Sequence, residues 1–426
     1  MSDDPATPGK ALPPNTRPWS SGPLRERSFR LLFGARAISS VGDRLVPVAL
    51  SFAVLDLTGS VTDLGIVMGA QSAAIVLFVL FGGVWADRLA RRSMMLLADT
   101  VRMLAQGLSA ALLIAGVAHV WELAALQAIY GAAWGFWGPA SIAIVPEVAA
   151  PVDLQPANAL LGLTENVATV TGPAIAGVIV AVASPGWGLA IDAASFLVGG
   201  ILLLGMQAGR TAPARTGLPS SVVRELRDGW GTFRSYTWLW TTVLFFTLYM
   251  GLVFAPFRVL GPAIARSSLG GSGAWAAISV ALGVGAVVGG VVGLRWRPVH
   301  PLRSSVMMFL WGGPPMIVLL ALGGPLWAIV ALALADGMVG SVFNAVWFTA
   351  QQTRIPAGDL SRVSSWDHLG TLVLEPVGLA LVGPVAAAVG YSATLYAAAG
   401  ISVLLTLALL SVREVRDLRG PEASDA

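Results

Sequence analysis

Twelve apolar runs, each long enough to cross a bilayer and separated by short polar breaks, leave this chain little choice of fold. They occupy residues 31–55, 64–86, 94–117, 120–145, 160–183, 186–207, 238–260, 273–294, 305–323, 325–350, 365–389 and 391–412. A hydrocarbon layer takes about 20 apolar residues per helix. The runs are continuous rather than alternating segments of about ten, which favours helices over barrel strands. Only 12% of the 426 residues are charged, roughly half the share of a soluble domain and too few to cover a surface facing water. The sequence therefore predicts an all-α membrane protein with twelve transmembrane helices. Its 49 glycines permit close helix packing in lipid.

The longest polar interruption, 208–236, divides the runs into two sets of six. The expected layout is a disordered cytoplasmic tail over 1–24, a first bundle over 25–207, a central loop over 208–237, a second bundle over 238–412 and a tail over 413–426. Within the loop, Val222, Val223, Leu226, Trp230 and Phe233 recur at helical spacing with Arg224, Arg227 and Arg234 between them. That pattern predicts an amphipathic helix lying on the membrane surface. Residues 1–24 lack the basic-then-apolar order and small-residue cleavage site of a signal peptide. With the N-terminus inside, twenty-one Lys and Arg residues fall on inner segments, and Arg258 and Arg266 fall on outer loops. This asymmetry predicts a cytoplasmic-membrane protein with both termini in the cytoplasm.

The halves repeat. Residues 82–92 read GGVWADRLARR and residues 289–299 read GGVVGLRWRPV, each following the second span of its half. IVPEVAAPVDLQPANAL at 144–160 is echoed by RIPAGDLSRVSS at 354–365. Two six-helix halves in parallel repeat form a transporter architecture, with the solute site between them near the midplane.

These motifs carry a resemblance. GVWADRLARR at 83–92 resembles the signature loop of the major facilitator superfamily, between spans two and three. Ala90 stands where that family usually has Gly, and the second copy has Leu294 in place of Asp87. The resemblance implies the major facilitator fold. It also implies a gate built from Gly83, Asp87, Arg88, Arg91 and Arg92 that latches one transport state against span eleven. ATVTGPAIAG at 168–177 resembles the superfamily's exporter-associated motif, which assigns Gly172, Pro173 and Gly177 to an antiporter-like helix interface. The arginine that many exporters place in span four is missing; Gln127 precedes Gly131 there. That departure fits a branch similar to the enterobactin and macrolide exporters, as do AISSVGDR at 37–44, QPANAL at 155–160, IDAASF at 191–196 and ELRDGW at 225–230.

Ionisable residues inside a membrane are functional candidates, since burying one costs about 2.5–3.5 kcal/mol even on the lenient insertion scale. Asp43 lies twelve residues into the first span and shares a helix face with Arg36, Ser39, Ser40 and Pro47. It is the first candidate for proton coupling or solute pairing, the alternative being a structural pair with an arginine of another helix; Glu375 and Asp336 are the second and third. Asp99 and Arg102 form a stripe with Gln106, expected to brace the loop at Asp87. Asp56 is expected to be solvated at an outer helix end. Trp134, Phe136, Trp137, Phe245 and Tyr249, with the polar Asn166 and Asn344, are candidates for the solute-cavity wall.

Several classes are disfavoured. The chain has no Cys, three scattered His residues and a net charge of +3, which argue against thiolate or His-rich metal sites and against nucleic-acid binding. No residues show nucleophile–base or metal-ligand spacing, so neither an enzyme nor a cofactor is expected. The sequence favours a monomeric secondary transporter that exports a hydrophobic drug or natural product by proton antiport, its partners being that solute, protons and the lipid bilayer. An uptake symporter or uniporter, and a transport-dead sensor, stay open as alternatives.

Overall fold

The computed structural model describes residues 22–86, 90–207 and 230–420, without side-chain detail at 80–86, 357–358 and 361–362. The expectations for the tail 1–21, for Asp87 and Arg88, and for the loop up to residue 229 lie outside the described residues. The first half contains α1 (Arg27–Thr58), α2 (Val61–Ala86), α3 (Arg91–Ile114), α4 (Val120–Ala143), α5 (Leu154–Val182) and α6 (Pro185–Leu204). The second contains α7 (Thr237–Leu269), α8 (Ser272–Arg295), α9 (Pro301–Ala321), α10 (Leu326–Arg354), α11 (Val363–Val389) and α12 (Tyr391–Ser411). Eleven of these are long and apolar enough to span a membrane by length and composition. The remaining one, α4, has 24 residues but carries Glu122, Gln127 and several Trp and Gly residues that dilute its hydropathy.

Local chemistry sets the boundaries. Gly59 ends α1 in the left-handed region at φ 67°, where a side chain would be strained. One residue later, the Ser60 hydroxyl accepts the Asp63 backbone N–H at 3.1 Å and caps α2. Pro185 opens α6 at a position where its missing N–H costs nothing.

The sequence ends the seventh span at 260, before Gly261-Pro262, and places Arg258 on an outer loop. The structure corrects both. The helix continues to Leu269 through wide π turns at Met250–Phe254 and Ala265–Leu269, so Arg258 stands inside the span. α9 is interrupted between Met308 and Gly313.

In the first half α1 packs on α5 and α6, α3 on α4 and α6, and α2 on α4. In the second, α8 packs on α10, α9 on α10 and α12, and α7 on α11 and α12. Two seams join the halves, α2 with α11 and α5 with α8. The antiparallel helices bring the ends of the described chain, Gly22 and Gly420, to one face of the bundle, here termed the terminal face. At the opposite face the seams are tight. A Cβ on Gly69 would meet the Pro376 carbonyl at 3.2 Å, and Gly177 lies 3.6 Å from the Ser272 carbonyl by the same measure. Towards the terminal face α2 and α11 part around a cavity of 280 Å³ lined by Val76, Val79, Ser364, Ser365, His368, Leu369 and Leu372.

The polar connections also pack. Residues 230–235 are helical, and Trp230 lies on Trp366 of α11 at 4.8 Å between ring centroids. The short helix Arg413–Asp417 follows α12 and turns Glu414 onto the start of α7, where its carboxylate accepts the Trp238 N–H at 3.0 Å. A carboxylate at a helix N-terminus satisfies an orphan donor and complements the helix dipole.

Candidate transport site

Asp43 faces the junction of the two halves. With Val46, Pro47, Leu50 and Ser51 of α1 it lines a cavity of 160 Å³, completed by Met68, Gln71, Ser72 and Ile75 of α2, Tyr130 of α4, Arg258 of α7 and Glu375 of α11. Asp43 and Glu375, placed near midplane by the sequence, thus share one cavity from opposite halves.

Behind Asp43 lies a polar network buried in the first half. Tyr130 donates its hydroxyl to Asp43. Arg102 reaches both oxygens of Asp43 at 3.3 Å and Asp99 at 2.5 Å, while itself fully buried. Its guanidinium lies over Phe196 at 4.2 Å and Trp137 at 4.8 Å, cation–π contacts that gain strength without water. Gln106 donates to Asp192 at 2.9 Å and Gln127 donates to Gln106 at 3.0 Å. One Asp192 oxygen has no hydrogen-bond partner among the described residues. The polar stripe of α3 therefore turns into the bundle, towards Asp43; the expected brace to Asp87 lies outside the described residues.

Opposite, Arg258 donates to Glu375, joining α7 to α11. The chemistry is asymmetric. The first half holds a carboxylate already tied to arginine and tyrosine, and the second holds one ion pair directly at the wall.

The remaining candidates take separate positions. Arg36 and Ser40 share the face of Asp43 but turn to Glu165 of α5, at 3.7 and 2.7 Å, and Arg44 reaches the same carboxylate at 3.8 Å. Trp137 is buried beside Arg102, and Phe136 packs on Phe78 with centroids 5.8 Å apart. Trp134 is half-buried; Asn166 and Asn344 are exposed. Phe245 and Tyr249 are not on the cavity. They stack at 5.7 Å inside an aromatic core with Phe246, Phe309 and Phe343. Asp336 is also elsewhere, packed against the Gly312-Gly313 break of α9. A Cβ on Gly172 would meet Arg44 backbone atoms at 2.9 Å, while Gly177 faces Ala276 of α8. The exporter-like motif thus serves one interface within its half and one between halves, and α5 runs helically through Pro173.

Of the gate residues, Gly83 lies in α2. Arg91 donates to the Ala143 carbonyl at 2.7 Å and pairs with Glu147 at 2.8 Å. Arg92 donates to the Leu203 and Leu204 carbonyls at 2.8 and 2.6 Å. Both arginines therefore cap the carbonyl ends of α4 and α6.

The sequence profile of the transmembrane secretion effector family matches residues 17–310. The chain belongs to that family, within the major facilitator superfamily. This membrane secretion protein is 29% identical over 415 residues to an enterobactin exporter, EntS, of Shigella boydii serotype 18, covering 91% of this chain and 93% of the relative. It is 28% identical over 411 residues to EntS of Escherichia coli, with the same coverage. Solved structures share the fold. The nucleoside transporter NupG superposes with TM-score 0.66 at 14% identity, covering 89% of this chain and 98% of NupG. A bacterial homolog of the human lysosomal transporter Spinster, inward-facing and occupied, gives 0.71 at 13% identity, covering 94% and 100%.

Several residues of the transport site escape the sequence reading, Gln71 and Ser72 of α2 among them. Tyr130 reads as an ordinary member of an apolar run, Gln127 only as the residue where many exporters place an arginine, and Asp192 as part of a motif with no assigned role. Arg258 was placed outside the membrane. A charged or hydroxylated residue within an apolar span was the available signal.

Proposed function

We propose that this member of the secretion family exports a hydrophobic drug or natural product from the cytoplasm by proton antiport and alternating access. The supporting observation is the cavity between the halves, where Asp43 and Glu375 each pair with an arginine. A proton on either carboxylate removes its charge and loosens its arginine, which supplies the differential interaction that any shift between states requires. The apolar part of the wall, Val46, Leu50, Met68 and Ile75, suits an apolar solute. At 160 Å³ the cavity is smaller than the roughly 300–1,000 Å³ of drug-sized sites, so the solute enters only when the halves part further. The excess of arginine supports a cytoplasmic terminal face, and the parting of α2 and α11 there supports reading this as the state open to the cytoplasm.

Asp43→Asn tests the reading. Arg102 retains Asp99 in this variant, so folding is expected to survive. In everted vesicles, proton-driven uptake of solute should vanish while solute binding and energy-independent exchange persist. Normal proton-coupled uptake would transfer the role from Asp43 to Glu375.

A further inference from the structure

The second copy of the repeated loop, GGVVGLRWRPV, walls a cavity of 550 Å³ at the terminal face, away from the transport site. Gly290, Gly293 and Leu294 of α8 form one side, and Ala345, Val346, Thr349 and Thr353 of α10 the other. Three arginines stand on its border: Arg297 after α8, Arg354 in the last turn of α10 and Arg419 after α12. No acidic residue is among the described residues that line it. Where the first copy carries Asp87, the second carries Leu294, so the basic character of the loop persists without its carboxylate.

The pocket is also held in shape. Arg354 donates to the Arg419 carbonyl at 2.6 Å, and the Gly420 N–H donates to the Val299 carbonyl at 3.0 Å. These bonds fasten the segment after α12 across the end of the groove. Leu294 and Val299 are 77% and 59% exposed, so the groove opens onto the outer surface of the bundle. Half-buried Trp296 stands between them, an amphipathic ring suited to the headgroup level.

We infer that this pocket binds one anionic phospholipid from the leaflet at the terminal face, its phosphate among Arg297, Arg354 and Arg419 and an acyl chain along Gly290, Gly293 and Ala345. Basic pockets between helices at the membrane surface select anionic headgroups by charge, and the small residues leave room for a chain. The inference depends on this face lying at a membrane surface and not on transport.

Native mass spectrometry of the purified full-length protein tests it, comparing phosphatidylglycerol with phosphatidylcholine of the same chains. The protein should retain phosphatidylglycerol preferentially. Combining Arg354→Gln with Arg419→Gln should cut that preference by about fivefold per arginine. Gly290→Leu keeps every charge and fills the groove; a Cβ there meets only the Ser341 hydroxyl, at 3.6 Å, so folding should hold. It should lose phosphatidylglycerol while melting like the parent. Equal retention of both lipids would overturn the inference, as would displacement of phosphatidylglycerol by millimolar inorganic phosphate.

Discussion

Arg102 is the side chain on which the first half's interior most depends. Two carboxylates and three aromatic rings surround it, and it is fully buried. Arg102→Leu removes the cation and leaves Asp43 and Asp99 facing each other, a loss of about 3–5 kcal/mol for a broken buried pair. The detergent-purified variant should melt well below the parent, and adding Asp99→Asn should restore much of the difference. No recovery would mean that the ring contacts, not the charges, hold the site. At this scale the sequence shows a charge but not its partner. Asp43 and Glu375 stood out because a carboxylate in an apolar run is costly. Arg102 and Arg258 are 59 and 117 residues from their partners, and no local spacing announces such a pair.

Helices carry the next level of information. α5 shows how one element divides its small residues between two tasks, Gly172 against α1 and Gly177 against α8. Gly172→Leu should wedge α5 away from α1 and cost about 1–3 kcal/mol, as overpacking does, read as a lower melting temperature and less protein in the membrane. Gly177→Leu forces the seam between halves instead. Its melting should change less, while export falls or a proton leak appears in everted vesicles. Gly162 has nothing within 4 Å of an added Cβ, so Gly162→Ala should match the parent in both assays. Helix existence and order were readable because twelve long apolar runs permit little else. The end of the seventh was not: Gly261-Pro262 reads as a stop, whereas packing and two wide turns carry the helix past it. The broken α9 was equally hidden, since Gly312-Gly313-Pro314 lies inside an otherwise apolar run.

Across the whole molecule, the tight face has its own fastening. Arg266 of α7 pairs with Asp56 of α1 at 3.1 Å and also donates to the Leu55 carbonyl, bridging the halves. Asp56 is half-exposed, as the sequence suggested for an outer helix end, and also serves as a strut. Combining Asp56→Asn with Arg266→Gln should ease parting of the halves at this face. Because the chain has no cysteine, Ser51→Cys gives a single reporter on the cavity wall. A membrane-impermeant maleimide added outside intact cells should label it faster in the strut-less variant. An unchanged rate would show that the α2–α11 and α5–α8 seams alone keep the face shut. The two-half plan was legible from the repeat and the central polar break. Which face is shut was not, because both halves present small residues along the full length of their seams.

The carboxylate that caps α7 is supplied by Glu414, 176 residues downstream of Trp238, and α7 and α9 both lean on α12. During synthesis the first half has all six of its helices once Leu204 has emerged, whereas the second lacks a wall and a cap until the chain is nearly complete. Domains generally fold in the order in which they leave the ribosome. The N-terminal bundle can therefore settle while the other half is still being made. The open groove left by the missing α12 is then the interval in which a nascent chain of this protein is most exposed to quality-control proteases.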